Sequence, residues 1–208
     1  MPDISSTDLS ALQKVRKRRL AVGAVLLFAL LVLLASRSPS DAFAHRAVAA
    51  SGLAFIILCI LGRTWCALYI GGKKRREIVT VGPFSVVRNP LYIFSMFGAT
   101  GVGLLTGSLV IGAVVLACTI FVFRSVVRAE ETFLLQTFGD SYSRYCDQVP
   151  RWIPRIAGWR DVREIVVRPK LVLVTFRDAC LFLIAVPLFD QIDKLQMAGI
   201  VPVLLRLP

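Results

Sequence analysis

Long apolar runs beside clusters of basic residues constrain this sequence more than any other feature. Residues 20–35 are unbroken apolar sequence after five basic residues within 14–19, and the largely apolar run 42–70 precedes the basic residues 73–76. A helix of about 20 apolar residues crosses the hydrocarbon core of a bilayer and satisfies its own backbone hydrogen bonds there. The pattern predicts an all-α integral membrane protein. Its N-terminus is expected in the cytoplasm, because basic residues mark the cytoplasmic side of a span.

Composition supports this prediction. Hydrophobic residues make up 56% of the 208 residues and charged residues 18%, against roughly 25% charged residues in soluble domains. The net charge of +12 would suit a nucleic-acid partner, but the basic residues lie beside apolar runs and no nucleic-acid-binding motif is found. We therefore expect no nucleic-acid partner.

Four spans are predicted with clear limits, and a fifth segment is ambiguous. The four spans are residues 20–35, 42–70, 91–105 and 109–127. Residues 171–189 are long enough to cross the membrane, but Arg177 and Asp178 stand in their middle. This segment is therefore either a fifth span or an amphipathic element on the membrane surface. The expected fold is a bundle of four to five transmembrane helices.

The metal-binding and redox residues indicate no metal site. The five cysteines have no CxxC spacing, so we expect free thiols rather than a disulfide framework or a zinc site. His45 is the only histidine, and it is predicted to lie in a solvated outer loop.

Two features of the spans have structural or functional interpretations. Arg63 interrupts the second span; it either extends to the cytoplasmic interface beside Trp65 or faces a partner or ligand inside the bundle. Small residues recur every four positions at Ser95, Ala99, Gly103 and Gly107, and Ala113 and Ala117 follow on the return helix. Small residues let helix backbones approach in lipid, so these two helices are predicted to form a close hairpin through the two alanines.

The segment Gly82 to Tyr92 is unusual for a linker at a membrane border. It reads Gly-Pro-Phe-Ser-Val-Val-Arg-Asn-Pro-Leu-Tyr, and it follows the short β-branched stretch 78–81, which is predicted to be extended or looped. Pro90 disfavours a helical Asn89 and suits the first turn of the next helix.

A second polar group lies about forty residues later, where the fourth helix is predicted to continue beyond the membrane to Gly139. Arg124, Arg128 and Glu131 share one helix face, and Glu130 lies about 100° round from Glu131. The two carboxylates are suited to bind an amine or the ribose hydroxyls of a polar cofactor, and an arginine is suited to hold an anionic substrate group. Alternatively, the glutamates only pair with neighbouring arginines.

The two segments together carry a family resemblance. The first is similar to the Gly-Pro-Tyr-x-x-x-Arg-His-Pro-x-Tyr signature of isoprenylcysteine carboxyl methyltransferases and related phospholipid methyltransferases. The second, from Glu130-Glu131 through Phe138-Gly139, Tyr142, Tyr145 and Val149-Pro150-Arg151, resembles the Glu-Glu-x-x-Leu…Phe-Gly-x-x-Tyr-x-x-Tyr…Val-Pro segment of the same family. The match covers roughly residues 62–154.

The resemblance implies an S-adenosylmethionine-dependent methyltransferase with a cytoplasmic cofactor site and a membrane lipid or lipidated substrate. It implies Arg128, or less favourably Arg124, as the residue that orients the methyl acceptor, and Glu131 as the second catalytic residue. The implied cofactor-binding residues are Ile78, Val79, Phe84, Asn89, Pro90, Leu91, Tyr92, Glu130 and Glu131. The expected regions are a cytoplasmic segment (1–19), a membrane methyltransferase core (20–156) and a C-terminal extension (157–208).

Two departures from the family pattern leave alternatives open. Asn89 replaces the usual histidine and Phe84 the frequent tyrosine; asparagine still donates and accepts hydrogen bonds but cannot become cationic. The alternatives are an NADPH-dependent membrane reductase of similar bundle fold and a non-catalytic membrane protein that retains the fold. The expected location is the plasma (inner) membrane in a bacterium or the endoplasmic reticulum in a eukaryote.

Overall fold

The protein is an all-helical bundle in a computed structural model that describes residues 42–71, 77–198 and 200. The predicted first span at 20–35 and the N-terminal segment lie outside these residues. The helices are α1 (Ala42–Ile70), α2 (Pro83–Val86), α3 (Pro90–Leu104), α4 (Leu109–Phe138), α5 (Asp140–Gln148), α6 (Pro169–Cys180) and α7 (Ala185–Met197). Short 3-10 helices occupy Ile156–Gly158 and Leu181–Ile184.

Three helical stretches are long and apolar enough to cross a membrane. They are Phe43–Ile70, Leu109–Phe138 and Pro169–Gln196, and α3 is a shorter apolar helix. The predicted class of integral membrane helical protein is confirmed. The C-terminal stretch has the length and composition of a fifth span, and its Arg177 and Asp178 pair with each other at 3.0 Å on the exposed side of α6.

Helix α4 begins and ends where the sequence predicts. The Ser108 hydroxyl accepts a hydrogen bond from the Ile111 amide at 3.3 Å, which satisfies one of the free N–H groups at the start of the helix. Gly139 terminates the helix with a positive φ of 51°. The 30 residues between them extend the helix well past Val127, the predicted end of the apolar segment.

Helix α3 packs between α1 and α4. A Cβ on Gly101 would lie 2.6 Å from the carbonyl oxygen of Gly52, so glycine allows α1 and α3 to approach closely there. On the other side, a Cβ on Gly103 would lie 2.9 Å from Val115 and 3.1 Å from Gly112. The predicted α3–α4 hairpin is therefore present.

The predicted alanine face of that hairpin is wrong. Ala113 and Ala117 are exposed, whereas Gly112 and Val115 are buried. Ala113 is one residue after Gly112 and therefore lies about 100° round the helix from it, away from Gly103.

The C-terminal helices pack against this core. Ala179 packs with Ile56 and Ile60 of α1. Phe189 and Ile192 pack with residues of α4. These contacts place the C-terminal helices against both long helices of the bundle.

The prediction for His45 is also wrong. It lies in the first turn of α1, and only 15% of its side chain is exposed. Its Nε2 is 3.8 Å from Asp193 Oδ2 of α7. Helix α1 already includes residues 42–47, and His45 within this segment faces Asp193 of α7 instead of lying in a loop.

Candidate active site

The glycine at the start of the first motif sets the path of the chain. Gly82 has φ of 59°, and a Cβ there would lie 2.3 Å from the ring of Tyr69. Its N–H donates to the Arg160 carbonyl at 2.7 Å. Pro83 then begins α2, a single turn whose residues Pro83, Phe84 and Ser85 are buried. This turn brings Arg88 and Asn89 to the side of α4.

Glu131 is the point on which the two motifs converge. Its Oε1 accepts hydrogen bonds from Arg88 Nη1 at 3.2 Å and from Asn89 Nδ2 at 3.3 Å. Its Oε2 lies 2.6 Å from Arg151 Nη2. The exposed side-chain fractions are 9% for Glu131, 14% for Arg88 and 42% for Arg151. A carboxylate this buried requires such paired, hydrogen-bonded partners.

Glu130 joins the same region through a different residue of the motif. The Tyr92 hydroxyl donates to Glu130 Oε2 at 2.7 Å. The Tyr92 ring packs edge-on against Phe123 of α4, with ring centroids 5.1 Å apart. The first turn of α3 is thus fixed to α4 by one polar and one aromatic contact.

An aromatic layer supports the motif from the side of α5. Tyr142, Tyr145 and Val149 form a buried cluster, and Ile78 packs against it. The Tyr145 hydroxyl donates to the Phe84 carbonyl at 2.7 Å. Burial and the neighbouring Glu131 carboxylate raise the pKa of Tyr142, and burial raises the pKa of Tyr145 although Arg88 opposes the shift. Both phenols are therefore neutral and act as hydrogen-bonding and packing groups.

The chain after α5 crosses back over the first motif. The backbone N–H groups of Arg88 and Arg155 donate to the Pro150 and Val86 carbonyls, each at 2.9 Å. The Arg160 N–H donates to Ser85 Oγ at 3.0 Å. Trp159 stacks on Trp65 of α1 with ring centroids 5.7 Å apart. The strap formed by residues 150–161 therefore holds the motif and the end of α1 together.

Most of the predicted site residues meet in this region. Asn89, Tyr92, Glu130 and Glu131 are joined by the contacts above, and Ile78 and Phe84 lie in or against the aromatic layer. Pro90 is buried at the first position of α3, and Val79 and Leu91 are half-buried nearby in sequence. Arg128 and Arg124 are exposed, and neither forms an ion pair with any described residue.

Three further residues belong to the cluster. Arg88 stands in the quoted motif but was not assigned a role, and Arg151 follows the quoted Val-Pro pair of the second motif. Cys146 lies beside them, 3.1 Å from Arg88 Nη1. The sequence indicated Arg151 only by its position directly after the Val-Pro pair of the second motif. Its contact with Glu131 depends on the fold of the strap, which the sequence pattern does not show. Arg88 Nε is buried and has no hydrogen-bond partner in the described structure.

Comparison with known proteins identifies the family. A model of the phospholipid methyltransferase family matches residues 48–141. A protein-S-isoprenylcysteine O-methyltransferase of Schizosaccharomyces pombe is 32% identical over 90 residues, which cover 42% of this chain and 38% of that protein. The chain belongs to the isoprenylcysteine and phospholipid methyltransferase-like family. Arg88, Asn89, Tyr92, Glu130 and Glu131 all lie inside the matched region.

Two other relatives of this chain are named for metal resistance. The cobalt-zinc-cadmium resistance protein CzcN of Cupriavidus metallidurans is 32% identical over 149 residues, 72% of this chain and 68% of that protein. The nickel-cobalt-cadmium resistance protein NccN of Alcaligenes xylosoxydans xylosoxydans is 28% identical over 168 residues, 81% of this chain and 78% of that protein. No solved structure matches the chain. Within the described residues, no group of three or more His, Cys, Asp or Glu side chains is placed to hold a metal ion.

Proposed function

We propose that this protein transfers a methyl group from S-adenosylmethionine to a carboxylate or amine of a lipid or lipid-modified acceptor at the membrane. The observation that carries the proposal is the convergence of Arg88 and Asn89 from the first motif, and Arg151 from the second, on Glu131. Family membership supports the reaction class.

The chemistry of these donors and acceptors fits the cofactor. S-adenosylmethionine supplies an electrophilic methyl group and also carries a carboxylate, an amine, ribose hydroxyls and a purine. Arg88, whose buried Nε is unpaired, and Arg151 are suited to hold the carboxylate. Glu130 and Glu131 are suited to accept from the amine or the ribose hydroxyls. Phe84, Asn89 and the half-buried residues Ile78, Val79 and Leu91 would hold the purine.

The role of the protein in this reaction is positioning. Methyl transfer requires the acceptor oxygen or nitrogen to be held in line with the transferred group, and such alignment supplies much of the rate. Glu131 is fixed by three side chains, so it is a preorganised anchor rather than a mobile base. Arg128 is exposed, and we assign it the role of orienting an anionic acceptor group at the surface of α4.

Calorimetry with S-adenosylhomocysteine tests the proposal in the full chain reconstituted in nanodiscs. Wild type should bind it saturably, and Glu131→Gln and Tyr92→Phe should each weaken binding at least tenfold. Glu164→Gln removes an exposed carboxylate outside the cluster and should leave binding unchanged. If the folded wild type binds NADPH and not S-adenosylhomocysteine, the reductase is supported. If it binds neither molecule, a non-catalytic protein is supported. Either result would overturn the proposal.

The names of the two metal-resistance relatives suggest a cellular setting. We infer that the methylated lipid contributes to tolerance of divalent metal ions, because methyl esterification removes a negative charge that would otherwise attract cations to the membrane surface. Cells that carry wild type should grow at higher cobalt or cadmium concentrations than cells that carry Glu131→Gln. Equal growth, with equal amounts of both proteins in the membrane, would contradict a role in metal tolerance. The proposed methyl transfer would still be tested by the calorimetry.

A further inference from the structure

Arg63 places a cation inside the bundle, between α1 and α3. Its Nη1 donates to Ser95 Oγ, and its Nε is buried without a hydrogen-bond partner. The residue is half-buried and forms no ion pair in the part of the chain that the structure describes. A guanidinium has five N–H donors. The described contacts therefore leave most of its hydrogen-bonding capacity unused.

No acidic side chain among the described residues forms an ion pair with Arg63. Glu77 is the only acidic residue between positions 42 and 104. Arg63 lies seven residues before the end of α1, about 10 Å along the helix axis. Its guanidinium contacts Ser95 inside the bundle instead of extending past Ile70 to the helix end. An unpaired cation at such a depth is costly and marks a functional site by default.

The position of Ser95 relates this cation to the methyl-transfer site. Ser95 follows Tyr92 by three residues, which places it about 4.5 Å deeper on α3 and about 60° round its axis. Ser95 Oγ also donates to the Leu91 carbonyl at 2.7 Å, so its own proton is used and its lone pairs face the arginine. Tyr92 is the residue that binds Glu130. Arg63 therefore lies one helical turn below the candidate site, on the side toward the bilayer centre.

We infer that Arg63, oriented by Ser95, binds the oxyanion of an amphiphile whose hydrocarbon tail remains in the bilayer. The oxyanion is a phosphate or a carboxylate, since both accept paired hydrogen bonds from a guanidinium. Resting on the proposed function, we assign this group to the methyl acceptor, which makes the acceptor an anionic lipid. Arg128, which is exposed on α4, is assigned to the group that receives the methyl, whereas Arg63 binds a second oxyanion of the same acceptor.

The test uses decyl phosphate as the probe and decanol as its uncharged counterpart. Both are titrated into the delipidated full chain in micelles of an uncharged maltoside detergent, which carries no phosphate or carboxylate, with thermal unfolding as the measure of binding. Wild type should bind decyl phosphate at least tenfold more tightly than decanol, and Arg63→Gln should reduce this preference to less than twofold. Arg177→Gln is the matched control, because it removes an arginine whose side chain is 73% exposed in another apolar helix. It should retain the full preference.

Two further variants keep the result decisive. Arg63→Lys retains the charge but not the planar fork, and it should keep an intermediate preference. Ser95→Ala should weaken decyl phosphate binding severalfold. If Arg63→Gln does not fold, the affinity of Ser95→Ala for decyl phosphate tests the inference. An unchanged preference in the folded Arg63→Gln, an unchanged affinity in Ser95→Ala, or no preference in wild type would overturn the inference.

Binding of S-adenosylhomocysteine separates this inference from the proposed function. Arg63→Gln should bind it as wild type does, because Arg63 makes none of the contacts around Glu131. If wild type prefers decyl phosphate but does not bind S-adenosylhomocysteine, the oxyanion site stands and its assignment to a methyl acceptor fails. A third outcome is that phospholipid co-purifies with wild type but not with Arg63→Gln, and that decyl phosphate binds only after this phospholipid is removed. In that case the ligand is a structural lipid, and the assignment to a methyl acceptor fails.

Discussion

Arg151 Nη2 lies 2.6 Å from Glu131 Oε2, which joins the strap after α5 to the end of the long helix α4. The other oxygen of the same carboxylate receives Arg88 from the first motif at 3.2 Å. Two sequence blocks about forty residues apart therefore depend on one buried acid for their relative position.

The two arginines should contribute unequally to stability. Arg88→Ala should lower the free energy of unfolding by about 2 kcal/mol, because it removes a mostly buried hydrogen-bond donor to a charged group that keeps Asn89 and Arg151 as partners. Arg151→Ala should cost about 1 kcal/mol or less, since its side chain is 42% exposed and water replaces part of the interaction. Denaturation in mixed micelles measures both values, with Arg163→Ala as an exposed control. Equal losses for the two variants would contradict the larger contribution expected from the more buried Arg88.

Gly82 should tolerate a methyl group much less well than Gly139. Both have positive φ, 59° and 51°, so alanine costs about 1–3 kcal/mol of backbone strain at either position. At Gly82 the added Cβ would also lie 2.3 Å from the Tyr69 ring, whereas nothing lies within 4 Å of it at Gly139. Gly82→Ala should therefore lower the melting temperature further and weaken S-adenosylhomocysteine binding, while Gly139→Ala affects stability alone. Comparable effects of the two variants on binding would show that the path of the chain at Gly82 does not position the site.

The extent of the helices could be predicted from the sequence, because apolar periodicity and glycine or proline limits act locally. The third span was expected at 91–105 and the helix occupies Pro90–Leu104. The partner of each helix face could not be predicted in the same way. Gly101 faces α1 and Gly103 faces α4, and small residues on two faces of one helix do not indicate which neighbour meets which face.

The candidate active site likewise contains residues that could be predicted from the sequence and contacts that could not. Asn89, Tyr92, Glu130 and Glu131 could be predicted because motif resemblance follows the chain. The approach of Arg151 to Glu131 could not, because it depends on backbone hydrogen bonds between the irregular strap and the first motif. Arg128 shares a helix face with Glu131 by periodicity, yet it is exposed where Glu131 is buried, since positions three apart still differ by about 60° round the helix.

Tyr145 should make stability fall at alkaline pH. Burial raises its pKa above the ordinary value of 10.0, so the unfolded chain loses the phenolic proton first as pH rises. The stabilising contribution is thus complete below about pH 10 and declines above it. Tyr145→Phe should cost about 1–3 kcal/mol near neutral pH, because the buried Phe84 carbonyl loses its donor. Melting temperatures across the alkaline range should fall less steeply for this variant than for wild type. Parallel curves would indicate that Tyr145 does not remain neutral in the folded protein.

Asn89 tests whether the departure from the family histidine preserves the site. Its amide donates to Glu131 Oε1 at 3.3 Å, so Asn89→Leu should weaken S-adenosylhomocysteine binding about tenfold, as expected for a hydrogen bond of about 1.5 kcal/mol to a charged group. Asn89→His keeps a donor on its ring and should stay within about threefold of wild type. Because histidine titrates near pH 6.5, this variant alone should gain a pH dependence of binding between pH 5 and 8. Calorimetric titrations at both ends of that interval measure the effect. Wild-type affinity in Asn89→Leu would mean that the amide positions neither Glu131 nor the cofactor.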